Sequence, residues 1–243
     1  MVSKLTVLLV VAVVGASIVG YLFINNYLAG RGIKPYLGRV SKYVINFKEV
    51  HLKFNSVCKG IRDVGYVNLR RVGSEGLPIG GTTVNTFKYI MELFVNDSVR
   101  GPKNGTFTFW ISSNGTIYKF YDSLRKKTLE YPKTGAAKLL LINAIPMMAI
   151  DDYFNVQVGE NGVYIPSNKG LIINSTKSSY VVNGESVPSW VVYVKPPSNV
   201  KGDVKLLKMI VGKVGNDWYI LSITMYGKEA GCVGTYSITT MKG

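Results

Sequence analysis

The sequence predicts an α+β fold, mainly antiparallel β, preceded by one N-terminal transmembrane helix. Three observations carry this reading. From Leu5 to Gly30 the chain has no charged residue. The body that follows is built of short runs rich in Val, Ile, Thr and aromatic residues, punctuated by Asn-Gly pairs and prolines. A single stretch of it, Gly135 to Ala144, has the composition and spacing of a convincing helix.

The elements follow in chain order. An uncharged run such as Leu5–Gly30 is long enough to cross about 30 Å of hydrocarbon, since each helical residue rises about 1.5 Å. The rival reading is a cleaved secretory signal, but Val14-Gly15-Ala16 sits in the middle of the apolar run and not at its end. No cysteine precedes Cys58, so no lipid can be attached behind the run, and the peptide itself must anchor the chain. Residues 1–30 are therefore read as an anchor and 31–243 as one β-rich domain. Ala12, Ala16 and Gly20 lie on one face of that helix, a spacing that permits close helix–helix approach.

Sidedness has evidence on both sides. Arg31, Lys34, Arg39 and Lys42 follow the apolar run, which by the positive-inside rule places the body inside the cell. The cysteines Cys58 and Cys232, and the sequons at Asn96, Asn104, Asn114 and Asn174, favour the outside, and large domains translocate regardless of charge. The expectation is an extracytoplasmic domain. The net charge of +15 suits anionic headgroups or acidic glycans, but the basic residues are scattered and no nucleic-acid-binding signature accompanies them. Pairing of Cys58 with Cys232 would close most of the domain and fit an oxidising compartment; two separate buried thiols are the alternative. Gln157 is the only glutamine, a depletion that points to a hot habitat and an archaeal cell surface, against which stands the abundant Asn.

Within the body, Ile33 to Val50 reads as a helix, with Tyr36, Val40, Tyr43, Val44 and Phe47 on one face. Thr86–Val95 reads as a strand. Thr106–Ile111 and Thr116–Tyr121 flank Ser113-Asn114-Gly115, read as a type I′ hairpin. Lys127–Tyr131 is the next strand, ending at Pro132. The apolar helix Gly135–Ala144 breaks at Pro146 and is followed by Met147-Met148-Ala149-Ile150. A second meander starts at Tyr180, turns at Asn183-Gly184, and continues through Trp190–Lys195, Val204–Val214, Trp218–Tyr226 and Val233–Thr240.

The order of strands, apolar helix, acidic-aromatic tail and strand meander resembles the periplasmic lipoprotein-carrier family, LolA and its mycobacterial relatives of the LppX and LprG type. The resemblance covers about Thr86 to Thr240. It is carried by Gly115–Asp122 with Leu129-Glu130-Tyr131-Pro132, by Leu139–Ile142 before Asp151–Val156, and by Trp190–Pro196. It implies a half-open barrel or strongly curved sheet with a helical lid. It also implies that an acyl chain or another apolar ligand binds between sheet and lid, against Leu139, Leu140, Leu141, Ile142, Met147 and Met148 together with Phe107, Phe109, Tyr118 and Phe120. The alternative for these residues is an ordinary closed core. The chain departs from the family in having no lipobox and no clear counterpart for Lys53–Thr86.

Enzyme chemistry has little to work with, and neither a cofactor nor a metal is expected. His51 is the only histidine, which removes multi-histidine metal sites and leaves a histidine triad a single candidate among apolar neighbours. Asp151-Asp152 with Glu160 lacks the oxygen-ligand spacing of a calcium loop. Gly76–Thr82 lacks the lysine of a phosphate-cradling loop and reads as a turn before a strand. The expected partners are membrane lipid and an apolar ligand. The rival class is a cell-surface structural subunit, such as a pilin-like filament, sheath or surface-layer protein, which would associate with itself or with other surface proteins.

Overall fold

The computed structural model describes residues 42–159, 161–197, 204–229 and 231–243. The anchor read over residues 1–30, with Ala12, Ala16 and Gly20, and Glu160 lie outside them. Among the described residues no helix is long and apolar enough to cross a membrane.

The described residues begin with one helical turn, α1 (Lys42–Ile45), and then form β1 (Glu49–Cys58), β2 (Ile61–Ile79), β3 (Thr82–Asp97), β4 (Gly101–Ser112), β5 (Ile117–Asp122) and β6 (Lys127–Glu130). Two helices follow, α2 (Gly135–Ala144) and α3 (Pro146–Phe154), with Pro146 at the start of the second. A small ribbon of β7 (Gln157–Gly159) and β8 (Gly162–Tyr164) leads to β9 (Leu171–Val182), β10 (Glu185–Lys195), β11 (Val204–Val214), β12 (Asp217–Gly227) and β13 (Val233–Lys242). Eleven strands make one antiparallel sheet in the order β6-β5-β4-β3-β2-β1-β13-β12-β11-β10-β9. Both meanders expected from the sequence are present and are joined through β1 and β13.

Turn chemistry explains the hairpins. Lys59-Gly60, Gly80-Gly81 and Asn183-Gly184 all have positive φ at both positions, as two-residue type I′ turns require. The Asn114-Gly115 turn differs from expectation. Only Gly115 has positive φ, and the Asn114 side-chain oxygen instead accepts the Thr116 N–H (3.0 Å) and the Ser112 hydroxyl (2.6 Å). The dipeptide thus serves a side-chain-braced turn between Ser112 and Thr116, with a bulge beside it between Trp110 and Ile111. Three boundaries also change. Helix is confined to Lys42–Ile45 within the described part of Ile33–Val50, because Val50, Leu52 and Phe54 alternate with more polar residues and pair into β1. Gly76 to Ile79 is strand, the turn being the Gly80-Gly81 pair alone. The second meander begins at Leu171, nine residues before Tyr180.

The sheet forks. β12 pairs with β13 only over Ser222–Tyr226 against Val233–Ser237. The front half of β12 and the back half of β13 diverge, and their open backbone groups are met by side chains. Asn183 of the β9–β10 turn donates from Nδ2 to the Met241 carbonyl (2.8 Å) and accepts the Met241 N–H (2.8 Å), while its own N–H donates to Thr239 O (3.0 Å). The Tyr180 hydroxyl donates to Ile238 O (2.9 Å). The tip of the β9–β10 hairpin therefore returns to β13, four places from β9 in the sheet, which requires strong curvature, and no ladder closes β9 onto β13.

Candidate functional site

One apolar core fills the inner side of this curved sheet. Registered partners place Leu52, Val67, Leu69, Met91, Phe107 and Phe109 on the same face, and Phe120 follows across β5. Helix α2 packs against β5 and α3 against β12, so the helix pair spans from one half of the sheet to the other. Leu141, Met147 and Met148 from the helices belong to the same buried cluster as Phe107, Phe109 and Phe120. The phenylalanines touch one another, Phe107 stacked on Phe120 at 6.0 Å and Phe109 tilted against it at 5.1 Å.

The remaining residues of the expected lining lie elsewhere. Leu140 is half-buried at the edge of the cluster, and Ile142 is half-buried outside it. Leu139 is 40% exposed on the outer side of α2. Tyr118 packs beside Tyr131 at 5.4 Å, away from the core. The helix is apolar around most of its circumference, so packing against the sheet covers one side and leaves Leu139 in the open.

Tyr43, Val44 and Phe47 share one helical face in the sequence, but nothing there shows that this face enters the interior. Tyr43 and Val44 are fully buried, and Phe47 nearly so. The Tyr43 hydroxyl donates to Ile220 O (2.9 Å) and accepts the Ile220 N–H (2.7 Å), replacing the strand partner that β12 loses at the fork. Burial, then the nearby Asp151 charge, pushes the Tyr43 hydroxyl well above the usual tyrosine range. From β3, the Tyr89 hydroxyl donates to Val44 O (2.6 Å). Contacts to both β3 and β12 lay α1 across the inner face over the three strands between them.

Lys42 joins this segment to α3. Its ammonium donates to Trp218 O (2.6 Å), lies 3.7 Å from the Asp151 carboxylate, and sits over the Tyr219 ring at 4.7 Å. Burial raises the Asp151 pKa above the usual carboxylate value, and Lys42 pulls partly against that rise. Asp151 is thus engaged with Lys42 on the last turn of α3.

A second polar group was not legible in the sequence. Ser56, Asp63 and Asp97 stand opposite one another on β1, β2 and β3 at the rim of the inner face. Asp97 accepts the Val99 and Arg100 N–H groups (2.8 and 3.0 Å), and Asp122 braces the β5–β6 turn in the same way through Leu124 and Arg125. Burial works against the Asp97 charge, but those N–H groups with Lys103 and Arg100 hold its pKa below the ordinary value. Asp63 is only 4% exposed and its Oδ1 has no partner; burial, then Asp97, pushes its pKa up.

Cys58 and Cys232 form the disulfide. Among the described residues the one cluster with metal-ligand side chains is Cys58, Glu229 and Cys232, and its two sulfurs are bonded to each other. His51 lies in β1 with its ring edge-on to Tyr66 at 5.7 Å. The sequon residues Asn96, Asn104, Asn114 and Asn174 are all exposed.

No family model and no curated protein matches this chain. Solved structures overlap with it, two of them as follows. An exported protein from Bacteroides fragilis, described as having a YmcC-like fold, is 10% identical, with 80% of this chain and 95% of that one covered and a TM-score of 0.27. A DUF1329 family protein from Desulfovibrio piger is 7% identical, with 82% and 87% covered and a TM-score of 0.21. Overlaps of this size do not assign a family.

Proposed function

We propose that this is a membrane-anchored extracytoplasmic protein that binds an acyl chain, or an apolar ligand of similar shape, between the inner face of the curved sheet and the helix pair α2–α3. The observation that supports it most directly is the junction of Phe107, Phe109 and Phe120 with Leu141, Met147 and Met148 in one buried cluster across two separate layers. Burial of a chain there contributes about 0.8 kcal/mol per methylene, and unbranched methionines adapt to differing ligand shapes. The disulfide supports an oxidising compartment. The reading is non-enzymatic and uses no cofactor.

The rival reading, a self-associating surface subunit, has one specific observation in its favour. β9 is a twelve-residue edge strand that exposes Leu171, Ile173 and Val181. Native mass spectrometry of the full chain released from nanodiscs separates the two. A monomer that retains a lipid-sized adduct, lost on denaturation, is the expected result. A ligand-free mass with higher oligomers overturns the carrier reading in favour of assembly.

A further inference from the structure

The interior that the ligand would need is already occupied by the chain itself. Tyr43, Val44 and Phe47 belong to the same buried cluster as the phenylalanines and the helix methionines. Within the described residues α1 is one helical turn, and a turn by itself has no stability, because nucleation costs more than one turn returns. What holds α1 in place is tertiary contact. Its polar contacts include the Tyr43 hydroxyl on Ile220, the Tyr89 hydroxyl on Val44, the Asn46 amide donating to the Tyr219 hydroxyl at 3.1 Å, and Lys42 on Trp218 and Asp151, and the Tyr43 and Phe47 rings meet Tyr219 edge-on.

We propose that α1 is a displaceable plug, an intramolecular competitor that an acyl chain must expel from the inner face before it can bind. The inference rests on the apolar-ligand reading above. Three features of the contact set fit a part that leaves as a unit. Among the described residues the plug meets the sheet largely through side-chain-to-backbone hydrogen bonds, with no ladder to unzip from Lys42 up to Lys48, whose N–H donates to Lys242 O (2.7 Å). Its apolar side chains are replaceable by methylenes, provided that water or ligand meets the groups its departure strips of a partner, the Ile220 N–H and carbonyl, the Tyr89 hydroxyl and the Trp218 carbonyl. The Lys42–Asp151 contact ties it to α3, so departure of the plug releases the end of the helix pair at the same time. The apparent dissociation constant for ligand is then the intrinsic one divided by the fraction of molecules with the plug out.

The test uses the full chain in nanodiscs and, as probe, hexadecanoic acid carrying a photoreactive diazirine. Cross-link mapping reports where the probe lies, and hydrogen exchange of the 43–47 amides reports the plug. The expected result is cross-linking to peptides containing Phe107, Phe109 or Met147–Met148, together with faster exchange at 43–47 on probe addition. That sign is opposite to ordinary ligand protection. Tyr43→Phe with Tyr89→Phe keeps the rings and removes both latching hydroxyls, and the expected tightening of probe binding is about tenfold. Core cross-linking with unchanged or slower exchange at 43–47, or with unaltered affinity in the double variant, overturns the plug and leaves the apolar-ligand reading standing. Absence of core cross-linking in wild type and variant alike overturns that reading, and the plug with it.

Discussion

At the scale of single residues, the rim carboxylates make opposite contributions to stability. Asp97 and Asp63 face each other across β2 and β3, with Ser56, Arg100, Lys103 and Tyr236 as the polar groups around them. The folded state lowers the Asp97 pKa, so its contribution is present above the ordinary value and fades as pH falls through the folded one. Asp63 runs the other way. Its folded pKa is raised, so the folded state binds the proton more tightly, and stability falls as pH rises from the ordinary value through the folded one. Asp63→Asn is therefore expected to raise the melting temperature at pH 7 and to have little effect below pH ~3.8. Asp97→Ala, which strips two turn hydrogen bonds, is expected to cost about 1–3 kcal/mol at pH 7. Melting curves from pH 3 to 8 check both. A lower melting temperature for Asp63→Asn at pH 7 contradicts the assignment.

At the scale of elements, two residues set how strands approach and curl. Gly65 has no room for a side chain, since a Cβ there would meet Phe94 O at 2.1 Å and Phe54 Cζ at 2.5 Å. Gly65→Ala forces β2 away from its neighbours, and a loss of about 2–3 kcal/mol in denaturant unfolding is expected. Asn183 is both a turn residue at φ 57° and the clasp on β13. Glycine keeps the left-handed backbone and removes the amide, so Asn183→Gly isolates the clasp. Its expected cost is about 1–3 kcal/mol, and Asn183→Ala adds backbone strain to that loss. Equal stability of wild type and Asn183→Gly would show that the curl does not depend on this contact.

The same elements show what the sequence made legible. Asn183-Gly184 was readable because a type I′ turn needs only two adjacent residues that accept positive φ. Asn114-Gly115 looked identical and folded otherwise, because Ser112 and Thr116 give the Asn114 side chain a better use. Helix α2 was readable from local composition and its break at Pro146, whereas α3, which that proline begins, was not read as a helix. The plug was not legible, because the role of Tyr43 depends on a backbone group 177 residues away at the fork. Nor was the Asp63–Asp97 pair, which exists only once the β2–β3 register is fixed. The long β2 strand was missed because Gly73, Gly76, Pro78 and its run of exposed positions lack a clean period of two.

At the scale of the whole molecule, the disulfide joins what the sheet order leaves loosely connected. Cys58 ends β1 and Cys232 precedes β13, a separation of 174 residues, so the bond closes a loop around nearly the entire described domain. Within the sheet, β1 and β13 are also where the two meanders join, β2–β6 on one side and β9–β12 on the other. Loss of the bond therefore acts on the joint between halves and leaves each hairpin intact. In the chain-entropy model a loop of this length contributes about 5 kcal/mol, a large share of the roughly 5–15 kcal/mol that stabilises a typical protein. The Cys58→Ser/Cys232→Ser variant is expected to unfold at markedly lower denaturant, with the β1–β13 amides losing hydrogen-exchange protection before those of the β2–β3 and β9–β10 hairpins. If all three lose protection together, the domain is a single cooperative unit and the bond stabilises it uniformly. Early loss confined to β1 and β13 would place the weakest seam of the domain directly beneath the α1 segment that lies across it.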